Sequence, residues 1–536
     1  MNRFDWLAEL LARFEENAIH VSRGSKTTLQ PAHLLHVPAN EWGMTFAIVS
    51  TFACRFSALW ATETVPTAKD EIGSVFIVDC CVEKSGDYLV LRTEIECHQA
   101  QLTSITPYYP AANRIERHLQ DLLGIEFVEH PDKRRWLRHQ AWQAQTYPLR
   151  KAVSRFGTPP EVTPADTEYP FLQAQGTGVY EIPVGPVHAG IIEPGHFRFQ
   201  AVGEKILNLE ARLGYVHKGI EKIAEGRPPE SLAKLAGRVS GDSTVAHTWA
   251  ACMAMERAAH IEVPPRAQFL RAIFCERERV ANHLGDVGAI CNDVAFSFAF
   301  YQFSRLRELW QRLNFESLGH RFLMDCIVPA GVKKDLAAHW IPDYKQQLQV
   351  VAKEIEVLAG ILERHTGVED RLETTGVLLP AIATRLGCLG YVGRASGQTF
   401  DVRRNCPYAP YDELTLDVPV FQTGDVKARL QIRLAEIQVS LHLLHQLLNL
   451  LPNGKIVGHW QTPLENAEGL GIVEGWRGEI VSYVRFGKAG LVERFYPRDP
   501  SFLNWLALEF MIRQDIVPDF PVCNKSVNGS YAGVDL

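Results

Sequence analysis

Apolar residues recur at intervals of four and three over two long stretches of the chain. Tyr344, Leu348, Val351, Ile355, Leu358 and Leu362 form one series; Leu430, Leu434, Ile437, Leu441, Leu444, Leu448 and Leu451 form the other. At 3.6 residues per turn each series falls on one face, so each predicts an amphipathic helix with a single buried stripe. Pro342-Asp343 opens the first helix, Asp425 opens the second, and Pro452-Asn453-Gly454 stops it. Proline is tolerated in a first turn, an aspartate accepts from the free N–H groups at a helix start, and proline and glycine do not continue a helix. Helical spacing dominates beyond about residue 200, so a helical bundle is the expected core.

The pattern changes at both ends. From Glu41 to Cys97 β-branched and aromatic residues crowd together, and the strand-like runs 74–82 and 88–97 flank the turn composition Lys84-Ser85-Gly86-Asp87, which predicts a β-hairpin. Leu10 to Glu16 and Ala112 to Leu123 have helical spacing, so residues 1–151 read as a small mixed α+β domain. A second hairpin is predicted where Glu479 to Phe486 and Leu491 to Tyr496 bracket residues 487–490. Pro159, Pro160, Pro164 and Pro170 punctuate a polar stretch, so residues 152–178 read as an extended linker and 179–536 as a second, mostly helical domain. The expected fold class is therefore α+β.

With 536 residues and 46% hydrophobic positions, the chain has material for more than one core and lies outside the disordered and fibrous classes. Its net charge of -7 leaves no global basic field to hold a polyanion, so nucleic acid is not an expected partner. The first twenty residues mix acids with apolar positions and lack a secretion pattern. The most apolar stretch, Phe46 to Trp60, is broken by Ser50, Thr51, Arg55 and Ser57 and reads as a core element instead of a membrane span. Eleven cysteines are scattered with no C-x-x-C pair, as expected of reduced thiols in a cytosolic compartment.

Candidate chemistry concentrates in two short segments. Residues 185–199 hold His188, Glu193 and His196 among three glycines; imidazoles and a buried carboxyl can pass protons near neutral pH, and the alternative is a structural turn. Residues 238–247 run into an Ala/Met-rich helix, with Asp242 or Ser243 as its expected cap and His247 on its first turn. His442 and His445 share a helical face with no further ligand and read as structural or exposed, and Arg277 and Arg279 with Glu276 and Glu278 read as solvated ion pairs. No Gly-x-Gly-x-x-Gly follows a strand, so NAD is not expected to bind this chain directly.

Taken together, the motifs resemble a known family. Residues 109–117 and 121–132, Arg134-Arg135 and Tyr147-Pro148-Leu149-Arg150 resemble the thirty-kilodalton subunit of respiratory complex I. The remainder, through Gly185-Pro186-Val187-His188, Glu193-Pro194-Gly195-His196, residues 393–397, Asp401-Val402-Arg403, Pro407-Tyr408 and Pro500-Ser501-Phe502, resembles the forty-nine-kilodalton subunit and the large subunits of membrane-bound nickel-iron hydrogenases. Fusion in this order is similar to the large subunits of formate hydrogenlyase and hydrogenase-4. In hydrogenases of this type two C-x-x-C pairs hold nickel and iron. Here the resemblance puts those positions on Ser240, Ser243, Ser530 and Gly533, with His247 retained.

Serine hydroxyls are hard and stay protonated near neutral pH, and glycine offers no donor. No metal centre and no hydrogen turnover are therefore expected. The resemblance aligns Gly241 with a tyrosine that helps hold quinone in complex I, which leaves quinone chemistry open but without residue-by-residue support.

The resemblance implies a peripheral subunit on the cytoplasmic side of the membrane. Its partners would be an iron-sulfur small subunit, which carries the clusters, and antiporter-like membrane subunits, in an ion-translocating oxidoreductase. It also implies a residual polar pocket lined by Glu193, His196, Ser240, Ser243, His247 and Asp535, with His188 nearby, that relays protons or holds a small acceptor. The alternatives are a scaffold whose glutamate and histidines are satisfied in a core, and an active hydrogenase.

Overall fold

Both predicted stripe helices form, as Ile341–Glu363 and Val426–Leu450 in a computed structural model that describes residues 5–24, 27–64, 73–139, 142–143, 145–156, 169–189 and 192–536. All six stripe residues of the first are buried; in the second Leu434 and Leu451 lie partly exposed at the margin. Asp425 caps the second helix by accepting from Ala428 N at 2.8 Å. Helices Val426–Leu450, Ser297–Leu318 and Phe520–Val527 pack around the long helix Pro265–Asp293.

The position of that helix overturns the expectation for its charged residues. Glu276, Arg277, Glu278 and Arg279 are all buried, because a helix covered on every side has no solvated face. Arg277 lies between the rings of Trp310 and Tyr344, 4.1 and 4.3 Å from their centroids, and Arg279 donates to Glu276 and to the carbonyls of Glu474 and Gly475. His442 and His445 are exposed.

Helix Thr244–Ala258 lies flat on strand Glu468–Gly475. A Cβ on Gly471 would come within 1.9 Å of the Ala250 carbonyl oxygen, so glycine is what lets strand and helix backbones meet. That strand, with three glycines and two glutamates, carries no alternating signal, and it adds a third member to the predicted hairpin Gly478–Phe486 and Val492–Arg498.

In the first domain Val75–Lys84 and Asp87–Glu96 form the predicted hairpin, within a five-stranded sheet that runs Ser22–Arg23, Ala32–His36, Asp87–Glu96, Val75–Lys84, Arg55–Thr64. Within the β-rich composition after Glu41, Trp42–Thr51 is instead a helix that buries Trp42, Phe46 and Val49. Their i, i+4, i+7 spacing outweighs the β-branched content. Of the expected linker, residues 157–168 lie outside the described residues, and 169–178 carry neither helix nor strand.

This sheet stacks on the C-terminal meander. Trp60 packs 5.0 Å from Tyr483 and 5.9 Å from Tyr496 between ring centroids. A third sheet, Val179–Val184, His196–Val202 and Lys205–Arg212, borders the loop 185–195. Among the described residues no helix is long and apolar enough to cross a membrane.

Candidate functional site

Two turns nearly 300 residues apart in sequence meet below the loop 185–195. The first is the 3-10 turn Gly241–Ser243, entered from helix Pro229–Ala236; the second starts the short helix Tyr531–Asp535. Ser240 Oγ lies 2.8 Å from Ser530 Oγ and donates to Asp242 Oδ1 at 2.8 Å. Ser530 caps its own helix by accepting from Gly533 N at 2.9 Å. The positions that the resemblance assigns to thiolates are thus brought together, and other groups fill the space between them.

Arg477 supplies the largest of these. Its guanidinium binds both carboxylate oxygens of Asp242 at 2.7 Å, donates to Ser243 Oγ at 3.3 Å and donates to Asn528 O at 2.7 Å. Burial raises the Asp242 pKa, but the charge and hydrogen bonds of Arg477 outweigh it and hold the carboxylate below its ordinary range. Asp242 is therefore an ion-pair partner and not the expected cap, and Ser243 makes no capping bond either. The free N–H groups of Val245 and Ala246 go to Glu278, at 2.7 and 3.1 Å, and burial pushes this carboxyl up to about 8. Long-range capping of this kind leaves no sequence signature.

His247 is wholly buried, with Nε2 2.9 Å from Asp499 Oδ2. Burial raises the Asp499 pKa, yet the hydrogen bond and charge of His247, then Arg477, hold it at about 2. Asp499 precedes the Pro500-Ser501-Phe502 motif, which was the available signal for it.

Beside this cluster opens a cavity of about 690 Å³, walled in part by His188, Glu193, Ser240, Ser530, Tyr531 and Lys525. Glu193 is exposed and accepts from Ala532 N at 3.0 Å, and His188 bonds the Gly195 carbonyl at 2.7 Å. Ser243, His247 and Asp535 do not line it. Asp535 accepts from Gly214 N and Val216 N at 2.8 and 3.0 Å, and burial pushes it up to about 6. His196, bonded to the Gly185 carbonyl at 3.2 Å, faces a second cavity, and burial lowers its pKa.

These residues do not fit a four-thiolate bimetallic centre. Two of the four positions are hard hydroxyls that hydrogen bond each other, glycine supplies no donor, and a Cβ on Gly533 would come 2.7 Å from Asp499 Cγ and 2.9 Å from Ser530 Oγ. Gly533→Ala should therefore push Asp499 away from His247 and lower stability by about 1 to 3 kcal/mol, as overpacking in a tight core does. An unchanged denaturation midpoint would show that Asp499 yields freely.

A small α+β sheet domain thus precedes a helical core in which two turns face each other. Family models match in chain order: Respiratory-chain NADH dehydrogenase, 30 Kd subunit over residues 35–158, Nickel-dependent hydrogenase over 218–285, and Respiratory-chain NADH dehydrogenase, 49 Kd subunit over 293–462. Formate hydrogenlyase subunit 5 of Escherichia coli (strain K12) is 32% identical over 84% of this chain and 79% of its own length. The fused C/D subunit of NADH-quinone oxidoreductase from Bacteroides fragilis is 30% identical over 77% of this chain and 81% of its own length. Among solved structures, a chain of the membrane-bound sulfane sulfur reductase, an archaeal respiratory membrane complex, superposes with a TM-score of 0.63 at 25% identity, over 67% of this chain and 99% of that one. The chain belongs to the family of fused 30 Kd and 49 Kd large subunits shared by formate hydrogenlyase and NADH-quinone oxidoreductase.

Proposed function

We propose that this chain is a peripheral-arm subunit of a membrane-bound, ion-translocating oxidoreductase complex, with a residual metal cradle that serves electron and proton coupling instead of hydrogen turnover. The reading rests on one observation: Ser240, Ser243, Ser530 and Gly533, which the resemblance assigns to ligand positions, lie together among Arg477, Asp242 and Asp499, beside a polar cavity open to Glu193 and His188. Family membership supports the setting.

The electron carriers belong to an iron-sulfur small subunit docked on this chain, and ion movement to antiporter-like membrane subunits, with this chain on the cytoplasmic side. The acceptor is a small molecule or a quinone. No glycine-rich loop follows a strand, so the chain lacks the usual cradle for NAD. A scaffold is the second reading, favoured because Glu193 and His188 both already bond backbone groups.

The test is purification of the complex through a tag on this chain, followed by reduced-viologen oxidation with quinone or a sulfane sulfur compound as acceptor. Glu193→Gln should lower turnover at least tenfold while the complex keeps all its subunits, the scale on which a positioned proton-transfer group contributes. Stoichiometric nickel would overturn the proposal, and unchanged turnover would leave the scaffold reading.

A further inference from the structure

A second cavity, of about 1120 Å³, lies between the first domain and the sheet Val179–Val184, His196–Val202, Lys205–Arg212. It shares no lining residue with the cavity beside Ser240. Tyr169 and Phe171 form one wall. They are held in place because the Tyr169 hydroxyl accepts from Arg117 at 2.7 Å, the Pro170 carbonyl accepts from Arg134 at 2.8 Å and Leu172 N donates to Glu210 at 3.0 Å.

The charge of this cavity is one-sided. Arg212 donates to the Leu213 carbonyl at 3.1 Å and stacks 4.6 Å from the Tyr169 centroid, and it forms no ion pair with any carboxylate among the described residues. His196 and His217 face the same space; both nitrogens of His196 are spent, on the Gly185 carbonyl and on Arg198 Nε at 3.2 and 3.3 Å, and His217 donates Nδ1–H to the Asp535 carbonyl at 2.6 Å, which leaves its Nε2 as an acceptor. Among the described residues the one lining carboxylate, Glu181, is taken by Arg198 at 2.9 Å.

Burial pulls Arg212 below its ordinary pKa value, as it does a guanidinium without a paired carboxylate, and it also lowers His196 and His217, which disfavours their charged forms. A guanidinium held by an aromatic face presents a planar fork suited to phosphate or carboxylate. The volume matches ligand sites, and rings on the walls suit a flat partner.

We propose that this cavity binds an anion carried on a planar ring, of about mononucleotide size, with the anionic group on Arg212, the ring against Tyr215 and a ligand N–H or O–H donated to Nε2 of His217. Recognition falls on side chains, since no glycine-rich phosphate loop is present. The site is separate from the residual metal cradle and does not depend on the function proposed for it.

Calorimetric titration of the full chain with ADP, adenosine and pyrophosphate separates ring from charge. ADP should bind at least tenfold tighter than either fragment, and Arg212→Leu should weaken ADP at least tenfold with an unchanged unfolding midpoint. Should that variant misfold, Tyr215→Ala should weaken ADP and adenosine alike and leave pyrophosphate unaffected. Absence of ADP binding at millimolar concentration, or equal affinity in wild type and both variants, would overturn the proposal. So would pyrophosphate binding as tightly as ADP, which would leave a simple anion patch.

Discussion

Arg394→Leu should remove much of the stability at neutral pH: soluble yield should fall, and the protein recovered should unfold at far lower urea. Arg394 is about 1% exposed and meets three buried carboxylates, Glu436 at 2.8 Å, Glu474 at 3.0 Å and Asp401 at 3.2 Å. Removing the cation leaves these acids together in a core where water cannot screen them. Breaking a buried ion pair costs about 3 to 5 kcal/mol, and the loss falls mainly on Glu474, since Asp401 keeps Arg403 and Glu436 keeps His283. Against a total stability of about 5 to 15 kcal/mol, the loss is decisive.

The pH dependence identifies the cause. Already in the native protein burial and the neighbouring Asp401 push Glu474 upward, while Asp401 is held down against burial by Arg403 and Arg394. Without Arg394 all three carboxyls bind protons more tightly than they do in the wild-type fold, so the deficit of the variant shrinks as pH falls. Its deficit against wild type should be smaller at pH 5 than at pH 8. A deficit independent of pH would point to lost packing instead.

Glu479→Gln loosens the junction of the two sheets. The Glu479 carboxylate receives Arg55 Nη2 at 2.6 Å, Ser57 Oγ at 2.7 Å, Tyr88 Oη at 2.5 Å and Arg498. Three of these donors come from the first domain, so the residue holds that domain to the meander. Leaving Arg498 and Arg55 short of a buried partner should cost about 3 kcal/mol or more.

Burial alone would raise the Glu479 pKa, but the charges of Arg55 and Arg498 outweigh it and hold the group at about 2, below its ordinary 4.5. A carboxyl depressed on folding stabilises above its unfolded value, and that stability is lost as pH falls through the folded one. Wild type and variant should therefore differ fully above about pH 5 and converge toward pH 2 in denaturant midpoints. Parallel curves over that range would show that Glu479 carries no net charge in the fold.

Much of this organisation is legible along the chain. Periodic apolar residues determine helices such as Val426–Leu450, because a stripe of leucines has one way to leave water, and Asp425 marks its start. The hairpin around Ser85-Gly86 follows from turn residues between alternating runs. Local pattern failed where burial is not set locally. Strand Glu468–Gly475 looks polar and glycine-rich because a helix backbone presses on it. Glu276, Arg277, Glu278 and Arg279 look like a solvated face because spacing does not say how many sides of a helix are covered.

The sequence by itself determined that Ser240, Ser243, Ser530 and Gly533 offer no thiolate, since a residue's chemistry is decided by its side chain. Only the tertiary structure decided that Ser240 touches Ser530, that Asp499 fills the space beside Gly533, and that Arg477 and Glu278 satisfy the charges and backbone groups around them. Partners separated by tens to hundreds of residues are chosen by packing, and burial then sets which of them keep their protons.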